Sequence, residues 1–194
     1  MKRSAVLLSL SLALSVAALA APSGPALKAG VFEPPRQAPE FVLSGSDGAE
    51  LKLSRYRGKL VLLSFGFSQC AAVCPTTLAT LAQARKALGG DAEAVQIIHV
   101  TVDPEHDTAA VMKAYLAAFD PSFLGGTGQP QAMAAMRKDY GVVANKVPMG
   151  GGGYAFDHTA SIFLIDREGK LRAMMPYGHA AQDFVHDIKL LLAK

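Results

Sequence analysis

Cysteine is scarce in this chain: two among 194 residues. That excludes a disulfide-stapled scaffold, and a domain of this length builds an adequate core without staples. Basic runs are missing as well. With Lys2 and Arg3 set aside, 17 of the 19 basic residues remain against 16 acidic ones, dispersed along the chain. Nothing in that pattern suits a nucleic-acid surface, so no nucleic-acid partner is expected. Charge is modest at 18% and apolar residues reach 51%, a balance of globular rather than disordered chains. No internal repeat is visible. Beyond the first 21 residues no stretch is apolar for the roughly 20 residues a membrane span takes.

Those first residues have the layout of an export signal. Lys2 and Arg3 form a basic head, residues 5–17 are apolar apart from Ser9, Ser11 and Ser15, and Ala18-Leu19-Ala20 gives an A-x-A cleavage pattern. No cysteine stands near that point, so lipid attachment there is excluded. Residues 1–21 are therefore expected to be a signal peptide, or a membrane anchor if left uncleaved. Either way the protein is placed outside the cytosol, in a periplasm or on the outer face of the cytoplasmic membrane, where disulfides persist. Residues 22–37 are Pro-rich and are expected to be a linker or wrapping arm without regular structure. The folded domain is expected over residues 38–194.

Within it, FVLSGSDGAELKLS alternates about a turn at 44–48 and predicts a hairpin. KLVLLSFGF is continuously apolar, as a central buried strand should be. Pro75 suits the first turn of a helix with Leu78, Leu81 and Leu88 as its inward stripe, stopped by Gly89-Gly90. AVQIIHVTVDP predicts a second buried strand. Helices are expected from Thr108 to Phe119, from Pro130 to Tyr140, and over 180–192. Residues 145–157, with four consecutive glycines, read as a loop. TASIFLID and KLRAMMPY form a closing antiparallel pair about Arg167-Glu168-Gly169. Strands alternating with helices and ending on a hairpin describe an α/β protein of thioredoxin-like fold, a central mixed sheet flanked by helices with an N-terminal β-hairpin.

Both cysteines, Cys70 and Cys74, fall between the first central strand and its helix. Open α/β sheets place their sites at the carboxyl ends of strands, and a helix N-terminus favours thiolate. At i and i+4 on one helix face the two sulfurs lie about 5–6 Å apart at Cβ. That separation suits a disulfide or two grips on one metal ion. A structural clip is the weakest option, because so short a loop constrains little of the unfolded chain. A redox pair and a metal site stay open, and a metal site needs a further ligand.

Five histidines are available. His99 lies inside the second strand and reads as a satisfied core residue. His106 sits on a loop at the same sheet edge, His179 in a turn, and His186 on the last helix facing solvent. His158 stands between the glycine-rich loop and a strand and is the ligand candidate, with Asp157 beside it as a possible orienting carboxylate. Met149, in the glycine loop, is a candidate thioether; of Met174 and Met175, at least one should be core by alternation.

FSQCAAVCPTTL, VTVDPEHDT and DHTASIFLID, in this order and spacing, resemble the Sco/SenC family. The resemblance covers roughly residues 38–194 and implies an exported, thioredoxin-like copper-binding protein serving assembly of the CuA centre of cytochrome c oxidase. It implies copper, as Cu(I) or Cu(II), held by Cys70, Cys74 and His158, with Asp103 and Asp107 beside the site. It also implies as partners the oxidase subunit that carries CuA and other copper chaperones. The chain departs from the family in having Ala71-Ala72 where Pro-Asp commonly follows the first cysteine. Two thiolates and an imidazole are a soft donor set that suits Cu(I). A metallochaperone is the first expectation, a thiol-disulfide oxidoreductase using Cys70 and Cys74 the second. A peroxidase ranks last, since position 67 is Phe, not the Thr or Ser that its reactive cysteine needs three residues upstream.

Overall fold

The structure is a computed structural model that describes residues 26–193; the signal-peptide expectation lies outside the described residues. Among the described residues no helix is long and apolar enough to cross a membrane. One sheet of eight strands runs through the domain. Its centre is β4 (Leu60–Gly66), buried along its whole length, and β5 (Val95–Thr101), which lies parallel to it. β6 (Leu124–Thr127) continues the parallel set, and β2 (Val42–Gly45) and β3 (Glu50–Lys52) close that edge as the antiparallel hairpin foreseen in sequence. On the other side of β4 come β9 (Ile162–Ile165), β10 (Lys170–Met175) and finally β1 (Gly30–Gln37), all antiparallel to their neighbours.

β1 replaces the irregular structure expected of the 22–37 linker over its second half, Gly30–Gln37; residues 22–25 lie outside the described residues. Pro34 and Pro35 lack an N–H, which a central strand cannot tolerate but an edge strand can. The register shifts between Val31 and Arg36 to let them pass. The arm ahead of β1 is strapped to the last helix: Lys28 N–H and Ala29 N–H donate to the two oxygens of buried Asp187 at 2.8 and 2.9 Å.

Alternation along β4 and β5 divides the core in two. Leu60, Leu62, Val95 and Ile97 face α1 (Val73–Leu88), α2 (Ala109–Ala117) and α4 (Ala181–Leu192). Val61, Leu63, Phe65, Ile98 and Val100 face α3 (Pro130–Tyr140) and the β2–β3 hairpin. Leu78, Leu81, Ala84 and Leu88 form the buried stripe of α1. Thr108 caps α2 by accepting from Val111 N–H at 3.3 Å, and Gly141 ends α3 in the left-handed conformation at φ 68°. Of the adjacent methionines, Met175 is fully buried and Met174 packs from the other face, as alternation requires.

The expected glycine loop at 145–157 is instead a hairpin. β7 (Ala144–Pro148) pairs antiparallel with β8 (Tyr154–His158), and only Met149 and the four glycines turn at its tip. β7 is almost wholly exposed, so it carries no apolar period by which to read a strand.

Candidate metal centre

The α1 face of the sheet changes character at the carboxyl ends of its strands. In step with Leu60 and Leu62 come Ser64 and Gly66, and in step with Val95 and Ile97 come His99 and Thr101. Above this polar end starts α1, with Cys74 in its first turn.

Cys70 is half-buried and Cys74 is 3% exposed; both are free thiols. No side chain caps α1 at Ala72. The sulfur of Cys70 takes part of that role, accepting from Cys74 N–H at 3.4 Å. The two thiols are consequently unlike. Partial burial pushes Cys70 up, but the N–H groups of Cys74, Ala72 and Val73, together with the Cys74 side chain, outweigh it and hold Cys70 below the ordinary thiol value. Burial, reinforced by the Cys70 side chain, pushes Cys74 up to about 12.

His158, at the end of β8, meets Cys74 with Nε2 3.6 Å from the sulfur. Its Nδ1–H donates to Thr159 C=O at 3.0 Å, which leaves Nε2 with a lone pair toward Cys74. Phe67 packs edge-on against the imidazole, ring centres 6.1 Å apart, and against Phe156 of the same hairpin at 5.4 Å. Thr159 pins the base of the hairpin by exchanging hydrogen bonds with Val143.

Two buried carboxylates hold these parts in place. Asp107 accepts from Ser68 N–H at 3.0 Å, Thr101 Oγ1 at 2.7 Å, and Ser68 Oγ, and so ties the loop before Cys70 to the end of β5. Asp103 accepts from Tyr154 O–H at 2.7 Å and fastens the β7–β8 hairpin to the same segment. Lys146 lies over the Tyr154 ring at 3.8 Å and reaches Glu105 at 3.4 Å. Asp103 therefore positions the hairpin rather than touching a ligand.

The other expectations sort clearly. Asp157 is exposed on β8, and the Thr159 carbonyl orients His158 in its place. Met149 is 59% exposed at the hairpin tip. Ala144 pairs with His158, so Met149 stands about five strand residues, roughly 16 Å, from the site and is no ligand there. His106 pairs with Gln69 and Asp107, His179 with Asp183, and half-exposed His186 with Asp187. His99 is only half satisfied. Ser64 Oγ meets Nδ1 at 2.8 Å, while buried Nε2 has no partner. Burial holds this ring down to about 4, so it is uncharged. Gly66 went unnoticed in the sequence: a Cβ there would stand 2.8 Å from Cys74 Sγ and 2.7 Å from the His99 ring.

The SCO1/SenC family model matches residues 32–193. The chain belongs to the SCO1/SenC family. It superposes on ScoI of Bradyrhizobium japonicum, solved with copper bound. The TM-score there is 0.75 at 37% identity, over 80% of this chain and 99% of that one. It is also similar to apo Sco1 of Thermus thermophilus (TM-score 0.77, 38% identity, 86% of this chain and 98% of that one). Among curated relatives, the mitochondrial SCO2 homolog of Mus musculus is 31% identical over 157 residues, 79% of this chain and 62% of that protein. The chain spans less than two thirds of the length of the first such relatives.

The donors fit a soft metal ion: two sulfurs and one imidazole nitrogen, with the lone pair of Nε2 already facing a sulfur. Among the described residues no three such side chains form a ready cage.

Proposed function

We propose that this protein is an exported copper chaperone that carries one copper on Cys70, Cys74 and His158 and serves assembly of the CuA centre of cytochrome c oxidase. The observation that carries this reading is the 3.6 Å approach of His158 Nε2 to Cys74 Sγ, four residues from a second thiol on the loop that leads into α1. An enzyme working through the thiols alone needs no imidazole lone pair there. The copper-bound relative at 37% identity has the same fold over nearly its whole length. Copper is cargo here, and the protein's part is to bind and release it. Both thiols lose their protons on binding, the deep one because the metal supplies the positive charge its surroundings lack. An oxidised pair has no thiolate to offer, so loading is tied to redox state. The oxidase subunit bearing CuA is the proposed recipient, and other copper chaperones the proposed donors.

A second reading, thiol-disulfide oxidoreductase, is favoured by the unlike thiols. The Cys70 thiolate would attack a partner disulfide, forming a mixed disulfide and releasing one partner thiolate. Cys74 would then lose its proton and attack Cys70 Sγ, closing the Cys70–Cys74 disulfide and releasing the second partner thiolate. The partner gains two electrons and the pair loses two.

The deciding experiment is copper stoichiometry and Cu(II) absorption on the reduced protein beside Cys70→Ser and His158→Ala. One copper per chain, with a thiolate charge-transfer band that both substitutions abolish, is expected. No retained copper, together with efficient reduction of protein disulfides, would put the second reading first.

A further inference from the structure

His99 is completely buried, uncharged, and half unsatisfied. A lone buried polar atom costs about 1–3 kcal/mol, so an orphaned Nε2 beside a metal-binding thiol calls for a reason. The sheet register puts it there: His99 pairs with Ser64, two residues before Gly66, on the face that α1 covers. Nε2 lies 2.9 Å and Cys74 Sγ 2.8 Å from the point a Gly66 Cβ would occupy. The two atoms therefore flank one small space that only glycine leaves open. A cavity of about 10 Å³ here is lined by Ser64, Cys74, His99 and His158. It admits at most one water.

Two arrangements satisfy Ser64: its hydroxyl donates to Nδ1 of His99 at 2.8 Å, or it accepts from Nδ1–H and donates to Ile98 C=O at 3.4 Å, a long contact for an O–H···O bond. The Cys74 S–H faces His158 Nε2, so its sulfur is left to accept from His99, which selects the first. The neutral ring then carries its own hydrogen on Nε2. An N–H has no lone pair for a metal, but it is a donor without an acceptor. The Tyr115 hydroxyl, its ring 6.4 Å from His99, is likewise buried without a partner.

We infer that His99 is a positioning residue for Cys74, its Nε2–H turned to the Cys74 sulfur on the buried side of the site and donating to it. His158 engages the sulfur through the metal, and His99 steadies it from the opposite chemistry, as a hydrogen-bond donor. Such a bond lowers the energy of the sulfur lone pairs, and thereby tunes how strongly the thiolate gives charge to a bound ion. This inference rests on the copper reading for its consequence, but not for its geometry.

The test has an arm for each. In the reduced protein, ¹⁵N shifts of His99 should show the proton on Nε2, and the Nε2–H resonance should move in Cys74→Ala. A proton on Nδ1, or a resonance indifferent to Cys74, overturns the inference whether or not copper binds. In the Cu(II) form, His99→Phe should shift the thiolate charge-transfer band to lower energy while copper stoichiometry and the number of nitrogens coupled to Cu(II) stay unchanged. His99→Gln, which restores an N–H donor, should return the band toward its original place. A band unmoved in His99→Phe, or the loss of one coupled nitrogen, overturns the inference, the latter by making His99 a ligand. If His99→Phe fails to fold, the first arm on the unaltered ring still decides. Absence of copper binding in the parent protein would count against the function, not against His99.

Discussion

Cys74 and His158 are 84 residues apart in sequence, yet Sγ and Nε2 stand 3.6 Å from each other. Neither reaches the other through its own element. Cys74 is brought by α1 and the loop that Asp107 holds; His158 is brought by a hairpin outside the main sheet, which Asp103 holds through Tyr154. Both carboxylates come from the short segment after β5, so one stretch of chain sets both halves of the site.

Tyr154→Phe tests the second fastening. The ring stays, with its contact to Lys146 and its edge-on packing against Phe156. The lost hydroxyl leaves the buried Asp103 carboxylate without its side-chain donor. Amides of β7 and β8 should exchange faster in hydrogen exchange, and copper affinity should fall several-fold as His158 loses its seat. Exchange unchanged across the hairpin would mean that packing of Phe156 on Phe67 alone holds it.

The unlike thiols predict unlike labelling. Cys70 lies below the ordinary thiol value, so its alkylation should persist as pH falls toward neutrality, with a midpoint below the usual ~8.5. Cys74, pushed up to about 12 and buried, should resist alkylation until high pH or unfolding. The sign for stability follows. A folded value above the unfolded one gives stabilisation fully present below about pH 8.5 and lost as pH rises toward about 12. Mass spectrometry of peptides labelled across a pH series reads the first, and denaturant titrations across the same series the second. Equal labelling of both thiols at pH 7 would remove the asymmetry.

Much of this architecture was legible in the residues, and what was not has physical causes. The apolar run of β4, the leucine spacing of α1, and Pro130 with Gly141 around α3 each carry a local signal that tertiary packing agrees with. β6 does not, because two of the four residues of Leu124–Thr127 are glycine. A Cβ at Gly125 would stand 2.7 Å from Met112 and one at Gly126 would stand 3.0 Å from Leu43, so the strand is buried by lacking side chains at its two central positions. β1 was hidden by its prolines and β7 by its exposure. In the site, the two cysteines and His158 stood out by chemistry. Met149 and Asp157 were drawn in by nearness in sequence, which the hairpin converts into distance for Met149 and strand alternation into the opposite face for Asp157. His99 hid in a core strand's alternation, and the role of Gly66 depends on what lies across from it.

Gly66→Ala should damage the site more than the fold. The added methyl meets Cys74 Sγ at 2.8 Å and the His99 ring at 2.7 Å, distances that force one or both to move. Overpacking of this kind costs typically 1–3 kcal/mol, a tolerable loss for a domain with this much core. The displaced sulfur can no longer meet His158, so copper affinity should drop at least about tenfold, the equivalent of ~1.4 kcal/mol. Thermal unfolding and a copper titration on one sample separate the two effects. Unchanged affinity would show that α1 shifts as a unit and keeps the site intact.

Asp107→Asn tests the first fastening at nearly constant volume. Asp107 is fully buried and accepts from Ser68 N–H, Ser68 Oγ and Thr101 Oγ1, with His106 Nδ1 at 3.2 Å. A carboxylate can satisfy all of these donors, since both oxygens accept. An amide has one accepting oxygen, and its NH₂ would face Ser68 Oγ and His106, which must turn from donor to acceptor. Losing charge-assisted bonds should cost roughly 3 kcal/mol, about 6–12 °C in Tm for a chain of this size. The loop from Ser68 to Cys70 is then no longer held to β5, and the N–H groups that keep Cys70 low lose their fixed aim at its sulfur. Alkylation of Cys70 at neutral pH should slow toward that of an ordinary thiol. A variant that loses stability but keeps fast Cys70 labelling would show that α1 alone, without the Asp107 tether, sets the reactive thiol.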